Sequence, residues 1–400
     1  MKPTYQKGTA FTILSLLAVC HMLNDTLQSV ISAVYPLLKD SLLLNFTQIG
    51  LITLVFQLAS SIFQPIIGLI TDKKPQPYSL PIGMTFTMIG ILSLSYANSF
   101  PLVLVSVFLT GLGSSIFHPE ASRLAYMASG GKHGLAQSLF QVGGNFGSSI
   151  GPLLALWIIT PYGQRNIGWF SLIALASIGI MLIISKWYKG NLYRIKHTDN
   201  TNESVSNKKP IHSQGKITFA ISILLILIFS KYVYMASLNS YYMFYLIDKF
   251  NVPVHDAQLY LFAFLFAVAL GTIAGGPIGD RIGRKYVIWG SILGTAPFAL
   301  IMPHVGLMWT CILSIIIGLI LSSAFSAILV YAQELVPGKV GLIGGLFFGL
   351  AFGIAGVASA ILGKVADNTS IQHVYDICAY LPLIGLVAAF LPNTRKKGNI

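Results

Sequence analysis

Charged residues make up only 9% of this 400-residue chain, against roughly 25% in ordinary soluble domains. A soluble fold of this length would have too little polar surface to face water. Acids are scarcer than bases, with 12 Asp and Glu against 25 Lys and Arg. The basic residues are scattered among loops and build no soluble basic domain, so no nucleic-acid partner is expected. The three cysteines, Cys20, Cys311 and Cys378, all lie in apolar segments. They form no disulfide framework and have no metal-ligand spacing; no metal site is expected. The phosphate loop GxxxxGK[ST] and the HExxH and GxSxG motifs are missing too. The chain is therefore not read as an enzyme, and the energy source is expected to be an ion gradient rather than ATP, with no cofactor. The alternating ten-residue strands of an outer-membrane barrel are absent as well.

What the chain has in quantity is apolar length: 54% of residues are hydrophobic and the mean hydropathy is +0.74. A bilayer span needs about 20 mostly apolar residues. Such windows fall near 10–38, 46–70, 79–98, 101–124, 135–159, 167–187, 217–246, 257–278, 286–303, 307–332, 340–363 and 373–391. These predict an all-α polytopic membrane protein of about twelve helices. The start resembles a signal peptide, but no small-residue cleavage site follows, and the window reads as a retained first helix. The one long polar segment, "KGNLYRIKHTDNTNESVSNKKPIHSQGK", reads as a flexible linker. The expected organisation is a six-helix bundle over 1–187, a cytoplasmic linker over 188–216 and a second bundle over 217–400. With the N-terminus inside, 20 of the 25 Lys and Arg fall in cytoplasmic segments. This bias predicts both termini in the cytoplasm.

The halves also resemble each other. "GKHGLAQSLF" (Gly131 to Phe140) matches "GKVGLIGGLF" (Gly338 to Phe347), and "GLITDKK" (Gly68 to Lys74) matches "GPIGDRI" (Gly276 to Ile282) at nearly the same offset. Parallel duplication of a six-helix unit is the plan of one transporter architecture. On these residues the chain resembles the major facilitator superfamily. "GGPIGDRIGRK" is close to its loop signature, with Gly276, Asp280, Arg281, Gly283, Arg284 and Lys285 fitting. The first copy keeps Gly68 and Asp72 but has Pro75 and Gln76 where the later glycine and arginine stand. In the fifth window "GSSIGPLLA" resembles the superfamily's exporter motif at Gly147, Gly151 and Pro152. Small residues four apart allow close helix packing, and the proline can bend the helix. "FHPEASRLAYMASGGKHGLAQSLFQVGGNFGSS" and the "LND" around Asp25 are similar to the fosmidomycin-resistance group of efflux proteins. That resemblance implies proton-driven export of small molecules from the bacterial inner membrane, by a protein expected to act as a monomer.

Polarity inside the spans is concentrated. His21, Asn24, Asp25 and Gln28 fall within an arc of about 100° on one helix face. An aspartate at mid-membrane costs about 2.5–3.5 kcal/mol on insertion scales, so this face must point into the bundle or a water-filled cavity. Burial favours the neutral form of a carboxyl and a nearby positive charge favours the ionised form, and a site moving between the two can carry a proton. Asp25 and Glu120 are the candidate proton carriers, with His21 and His118 relaying or tuning and Arg123 one turn beyond Glu120. Gln141 and Asn145 are substrate candidates or interhelical hydrogen-bond partners, alongside Asn24 and Gln28. In the seventh window Lys231, Tyr234, Tyr241, Tyr242 and Tyr245 share one stripe. A lone membrane lysine beside tyrosines suits an anionic substrate; pairing of Lys231 with Asp25 is the competing expectation. The leading reading is a proton antiporter exporting a small drug-like or anionic compound by alternating access. The alternatives are a proton symporter importing an organic acid or nutrient, and a non-transporting membrane sensor.

Overall fold

A chain crossing lipid must satisfy its backbone groups within each segment, which helices do. The computed structural model describes residues 9–130, 133–192, 213–336 and 340–392, and no strand occurs among them. In chain order the membrane helices are α1 (Phe11–Ala33), α2 (Phe46–Lys73), α3 (Ser79–Ser95), α4 (Phe100–Ala128), α5 (His133–Leu154), α6 (Ser171–Gly190), α7 (Gln214–Phe250) and α8 (Val254–Ile282). They continue with α9 (Arg284–Leu293, its span running on to His304), α10 (Leu307–Ser322, resuming as Ala324–Leu335), α11 (Val340–Asn368) and α12 (Ile371–Cys378, its span running on to Phe390). Eleven spans among the described residues are long and apolar enough to cross a membrane, and Ser79–Ser95 is a shorter apolar helix. Helix α6 runs to Gly190 and α7 begins at Gln214, so each extends a little into the segment expected as linker. Residues 193–212 lie outside the described residues.

Helix α1 packs on α5 and α6, α3 on α4 and α6, and α2 on α4. In the later part of the chain α7 packs on α11 and α12, α8 on α10, and α9 on α12. Among the described residues the two main pairings between the first six helices and the last six are α2 with α11 and α5 with α8. Advancing by six positions exchanges these two pairs, which is the two-fold repetition a duplicated unit implies. The proline of the exporter-like motif leaves its mark on α5. Pro152 lies inside the helix, and the chain passes directly into a π-helical turn, Ala155–Ile159. Such turns arise where the regular hydrogen-bond ladder is interrupted.

The end of the bundle where α2 begins is held shut by polar contacts across both pairings. Asn45 and Gln48 form a reciprocal capping box. The next two orphan amides are satisfied from α11: the Asp367 carboxylate accepts from Phe46 N at 2.8 Å, Thr47 N at 2.7 Å and Thr47 Oγ1 at 2.6 Å. A carboxylate there also meets the positive end of the helix dipole. Behind it, Tyr35 bonds Thr53 at 2.7 Å, Ser359 donates to Ser240 at 3.0 Å, and Tyr241 donates to the Ser359 carbonyl at 2.6 Å. On the other pairing Thr160 donates to Gln258 at 3.0 Å, and Gln258 donates to the Ala33 carbonyl at 3.3 Å. Asp367→Ala is expected to loosen this seal. A cysteine placed at Thr53 should then react at least about threefold faster with a membrane-impermeant maleimide, the scale of one helix-terminus charge interaction. An unchanged labelling rate would show that the seal holds without Asp367.

Candidate functional site

Helices α1, α4 and α5 converge on Asp25. His21 lies one turn before it on α1, with its ring stacked on Phe140 of α5 at 3.9 Å between centroids. The Nδ1 of His21 is 2.7 Å from the Phe140 carbonyl oxygen. On α4, the Nδ1 of His118 is 3.0 Å from the Ser114 carbonyl oxygen of the preceding turn. The carbonyl oxygen beside His21 only accepts, so its Nδ1 carries the hydrogen; His118 Nδ1 also lies 3.1 Å from the Ser114 hydroxyl, which can donate to it, and both Nε2 atoms are left for other partners. Those partners are the two oxygens of one carboxylate. His21 Nε2 is 3.3 Å from Asp25 Oδ2 and His118 Nε2 is 3.6 Å from Asp25 Oδ1. A neutral His21 so oriented aims its Nε2 lone pair at the carboxylate. A proton or another cation shared between that nitrogen and the carboxylate relieves the contact.

The polar stripe surrounds this cluster. Asn24 Nδ2 donates to Asp25 Oδ1 at 3.0 Å, and Gln28 Oε1 accepts from Ser114 Oγ at 3.3 Å. Asn24 Oδ1 and Gln28 Nε2 are buried with no hydrogen-bond partner among the described residues. An unmet buried donor and acceptor each cost about 1–3 kcal/mol, so both are available to a bound molecule. His21 and Asn24 are sealed from solvent, while the Asp25 side chain remains 17% exposed. Glu120 is buried and pairs within its own helix with Arg123 at 3.8 Å. Arg123 also donates to the Thr71 carbonyl near the end of α2. Gln141 is half-buried on α5, and Asn145 Nδ2 donates across to Thr272 of α8 at 2.8 Å.

In α7 Lys231 is 95% buried, and among the described residues its ammonium meets rings rather than a carboxylate. It lies 5.4 Å from the centroid of Tyr232 and 5.5 Å from that of Phe325. The expected alternative of a Lys231–Asp25 pair is not what the structure has. The tyrosines of the stripe are buried between helices. Tyr242 donates to Ser314 at 2.9 Å, Tyr241 donates to Ser359 in the seal, and Tyr245 stacks on Tyr375 at 4.0 Å. The Tyr234 hydroxyl is buried without a partner among the described residues. A chain of rings that the sequence did not single out links the two polar centres. Phe325 meets Phe348 at 4.9 Å, Phe348 meets Phe352 at 6.3 Å, and Phe352 meets His118 at 5.9 Å.

The motif residues divide. Gly147 and Gly151 press α5 against α1, with Met22 and Ser29 as their neighbours. Gly283 joins α8 to α9 at φ +102°, a conformation natural to glycine alone, and Arg284 opens α9. A side chain at Gly68 would meet nothing within 4 Å among the described residues. Gly276 and the side chains of Asp72, Asp280 and Arg281 lie outside the described residues.

Twelve apolar helices among the described residues, in a duplicated arrangement with polar and charged side chains buried on α1, α4 and α7, define a membrane transport fold. The family model of the Major Facilitator Superfamily matches residues 17–247 and 223–399. The chain is 58% identical to the fosmidomycin resistance protein of Escherichia coli (strain K12), over 98% of this chain and 96% of that protein. It is 42% identical to the uncharacterized MFS-type transporter YfnC of Bacillus subtilis (strain 168), over 97% and 94% of the two chains. A more distant relative is the probable nitrate/nitrite antiporter NarK1 of Thermus thermophilus, 23% identical over 76% and 73%. The chain belongs to the major facilitator superfamily, in the group of the fosmidomycin resistance protein, and is a multi-span membrane transporter.

Proposed function

We propose that the protein is a proton-coupled antiporter that exports a small anionic compound, of the phosphonate class to which fosmidomycin belongs, across the bacterial inner membrane. Both termini face the cytoplasm. The observation that carries the coupling is the Asp25 carboxylate, held between the Nε2 atoms of two imidazoles, with the Nδ1 hydrogen of His21 committed to a backbone carbonyl. A proton entering this cluster, shared between the Asp25 carboxylate and an imidazole Nε2, changes the net charge of the α1 stripe. Its release leaves the carboxylate's negative charge uncompensated. The 58% identity to a protein named for fosmidomycin resistance supports the direction and the cargo.

Lys231 supplies the substrate's counter-charge. Its ammonium is buried against rings, and Asn24 and Gln28 offer unmet hydrogen-bonding atoms beside the triad. The ring chain Phe325–Phe348–Phe352 lines the path between them. Residues 1–187 and 217–400 act as two bundles that rock about the α2–α11 and α5–α8 contacts, joined by the linker 188–216. Gly147, Gly151 and Pro152, with the turn at Gly283, give the close packing and the bend at which that motion is accommodated. Arg123 ties α4 to the end of α2, and Glu120 is its partner.

Everted membrane vesicles test the reading. An imposed pH gradient, acidic inside, should drive accumulation of a labelled phosphonate, and reversing the gradient should stop it. Accumulation with the gradient reversed would instead establish symport. Lys231→Gln is expected to raise the KM for the phosphonate about tenfold, equivalent to about 1.4 kcal/mol. Lys231→Arg should retain most of the affinity. Equal KM values for wild type and Lys231→Gln would remove Lys231 from the substrate site.

A further inference from the structure

The cluster that faces Asp25 has the makeup of a metal site, although the sequence spacing announces none because its third donor comes from another helix. His21, Asp25 and His118 each offer one ligand atom, and these atoms lie within 4.8 Å of one another. We propose that these three residues bind a borderline divalent metal ion, Zn2+ being the representative, with two imidazole nitrogens and one carboxylate oxygen as ligands.

Four features of the geometry support this. A tetrahedral ion with bonds of about 2.0–2.1 Å sets its ligand atoms about 3.4 Å apart. The His21–Asp25 and His118–Asp25 separations are 3.3 and 3.6 Å, each to a different oxygen of the carboxylate, so that turning the carboxyl group brings one oxygen toward both imidazoles. Bringing in the widest pair, at most 4.8 Å apart, requires a closure of about 1.4 Å at most to reach the tetrahedral spacing. Both imidazoles present Nε2 while Nδ1 is held at the Phe140 carbonyl for His21 and at the Ser114 carbonyl and hydroxyl for His118, the outer-shell arrangement that fixes ring orientation in histidine metal sites. The space beside the donors is kept clear by Gly144. A Cβ there would press on the His21 ring and stand 2.8 Å from Asp25 Oδ2. The donor set also selects the ion: imidazole suits Zn2+ and its neighbours, whereas Mg2+ and Ca2+ take oxygen ligands. Three protein ligands leave a fourth position for water or an anionic group of the substrate. The consequence for transport rests on the proton reading above: an ion held there ties α1 to α4, occupies the carboxylate and blocks export.

The purified full-length protein in detergent, titrated with Co2+ at fixed pH, is expected to bind one ion with the intense visible absorption of a tetrahedral site. Zn2+ should displace it. His118→Gln and His21→Gln should each weaken binding at least about tenfold, the loss that removing even an outer-shell partner of a ligand produces. His118→Cys restores a donor and should recover the absorption with an added thiolate-to-cobalt band. Substituting the exposed His255 or His373 by glutamine should leave binding unchanged. Size-exclusion profiles separate loss of metal from loss of fold. A wild-type protein without the tetrahedral band overturns the proposal, as does undiminished affinity in a folded His118→Gln. Transport measured with a chelator present keeps the two readings apart. Export that persists without metal binding sinks the metal site alone, whereas metal binding together with proton-driven export by Asp25→Asn sinks the proton assignment alone.

Discussion

Asp25→Asn is expected to abolish proton-driven export, lowering it by about two orders of magnitude, which corresponds to about 2.7 kcal/mol on the transport barrier. Asparagine has nearly the same shape, so α1 should pack as before. What it lacks is the negative charge and the second acceptor oxygen. In the native cluster Oδ2 faces His21 at 3.3 Å and Oδ1 faces His118 at 3.6 Å. An amide presents one acceptor and one donor, so one imidazole would face an N–H2 group and the proton would lose its carboxylate. Substrate exchange between two pools at equal pH requires no net proton movement. It should therefore continue in Asp25→Asn, measured as counterflow in proteoliposomes. Loss of counterflow would mean a damaged fold rather than a missing carrier. Full proton-driven export by the variant would mean that the carrier is elsewhere. His118→Gln and His21→Gln should each cost less, about tenfold, because the carboxylate and one imidazole remain.

Much of this site was legible in the sequence for one physical reason: a polar residue in a lipid-crossing helix is costly enough to mark itself. Helical spacing put His21, Asn24, Asp25 and Gln28 on one face, and all four take part in or adjoin the triad. The pairing of His118 with Asp25 was not readable from spacing, because it joins different helices. The stripe on α7 shows the opposite limit. Lys231 and Tyr245 share an angular position but lie 14 residues apart in the chain, about 21 Å along the axis at 1.5 Å per residue. One small substrate cannot touch both, and Tyr241, Tyr242 and Tyr245 instead fill helix interfaces beyond the lysine's level. The residues that do meet Lys231, Tyr232 and Phe325, carried no signal. In a chain with 24 Phe and 18 Tyr, an aromatic side chain is the background. The same holds for Phe352, whose contact with His118 depends on how α11 lies against α4.

Gly147→Leu is expected to leave little folded protein, and Gly147→Ala to destabilise it by about 1–3 kcal/mol, the range for overpacking a close interface. The reason is what a side chain would strike. A Cβ at 147 would run into the Met22 carbonyl oxygen and stand 2.8 Å from its carbon and 2.9 Å from its Cα. Backbone in the middle of α1 cannot rotate away as a side-chain tip can, because that carbonyl also accepts from Thr26 Oγ1 at 2.7 Å. The same hydroxyl lies 3.1 Å from the Gly147 carbonyl, bonding the two helices at this level. Relief requires α1 to shift as a body away from α5. The His21 imidazole, 2.7 Å from the Phe140 carbonyl of α5, would lose its anchor in that shift. Gly147→Ala should therefore lower both the thermal midpoint of the detergent-solubilised protein and the rate of proton-driven export. Gly179→Ala, where a Cβ meets nothing within 4 Å, should change neither. If Gly147→Ala kept the wild-type midpoint, α1 and α5 would have slack at this level, and the close approach would not be what positions the imidazole against Asp25.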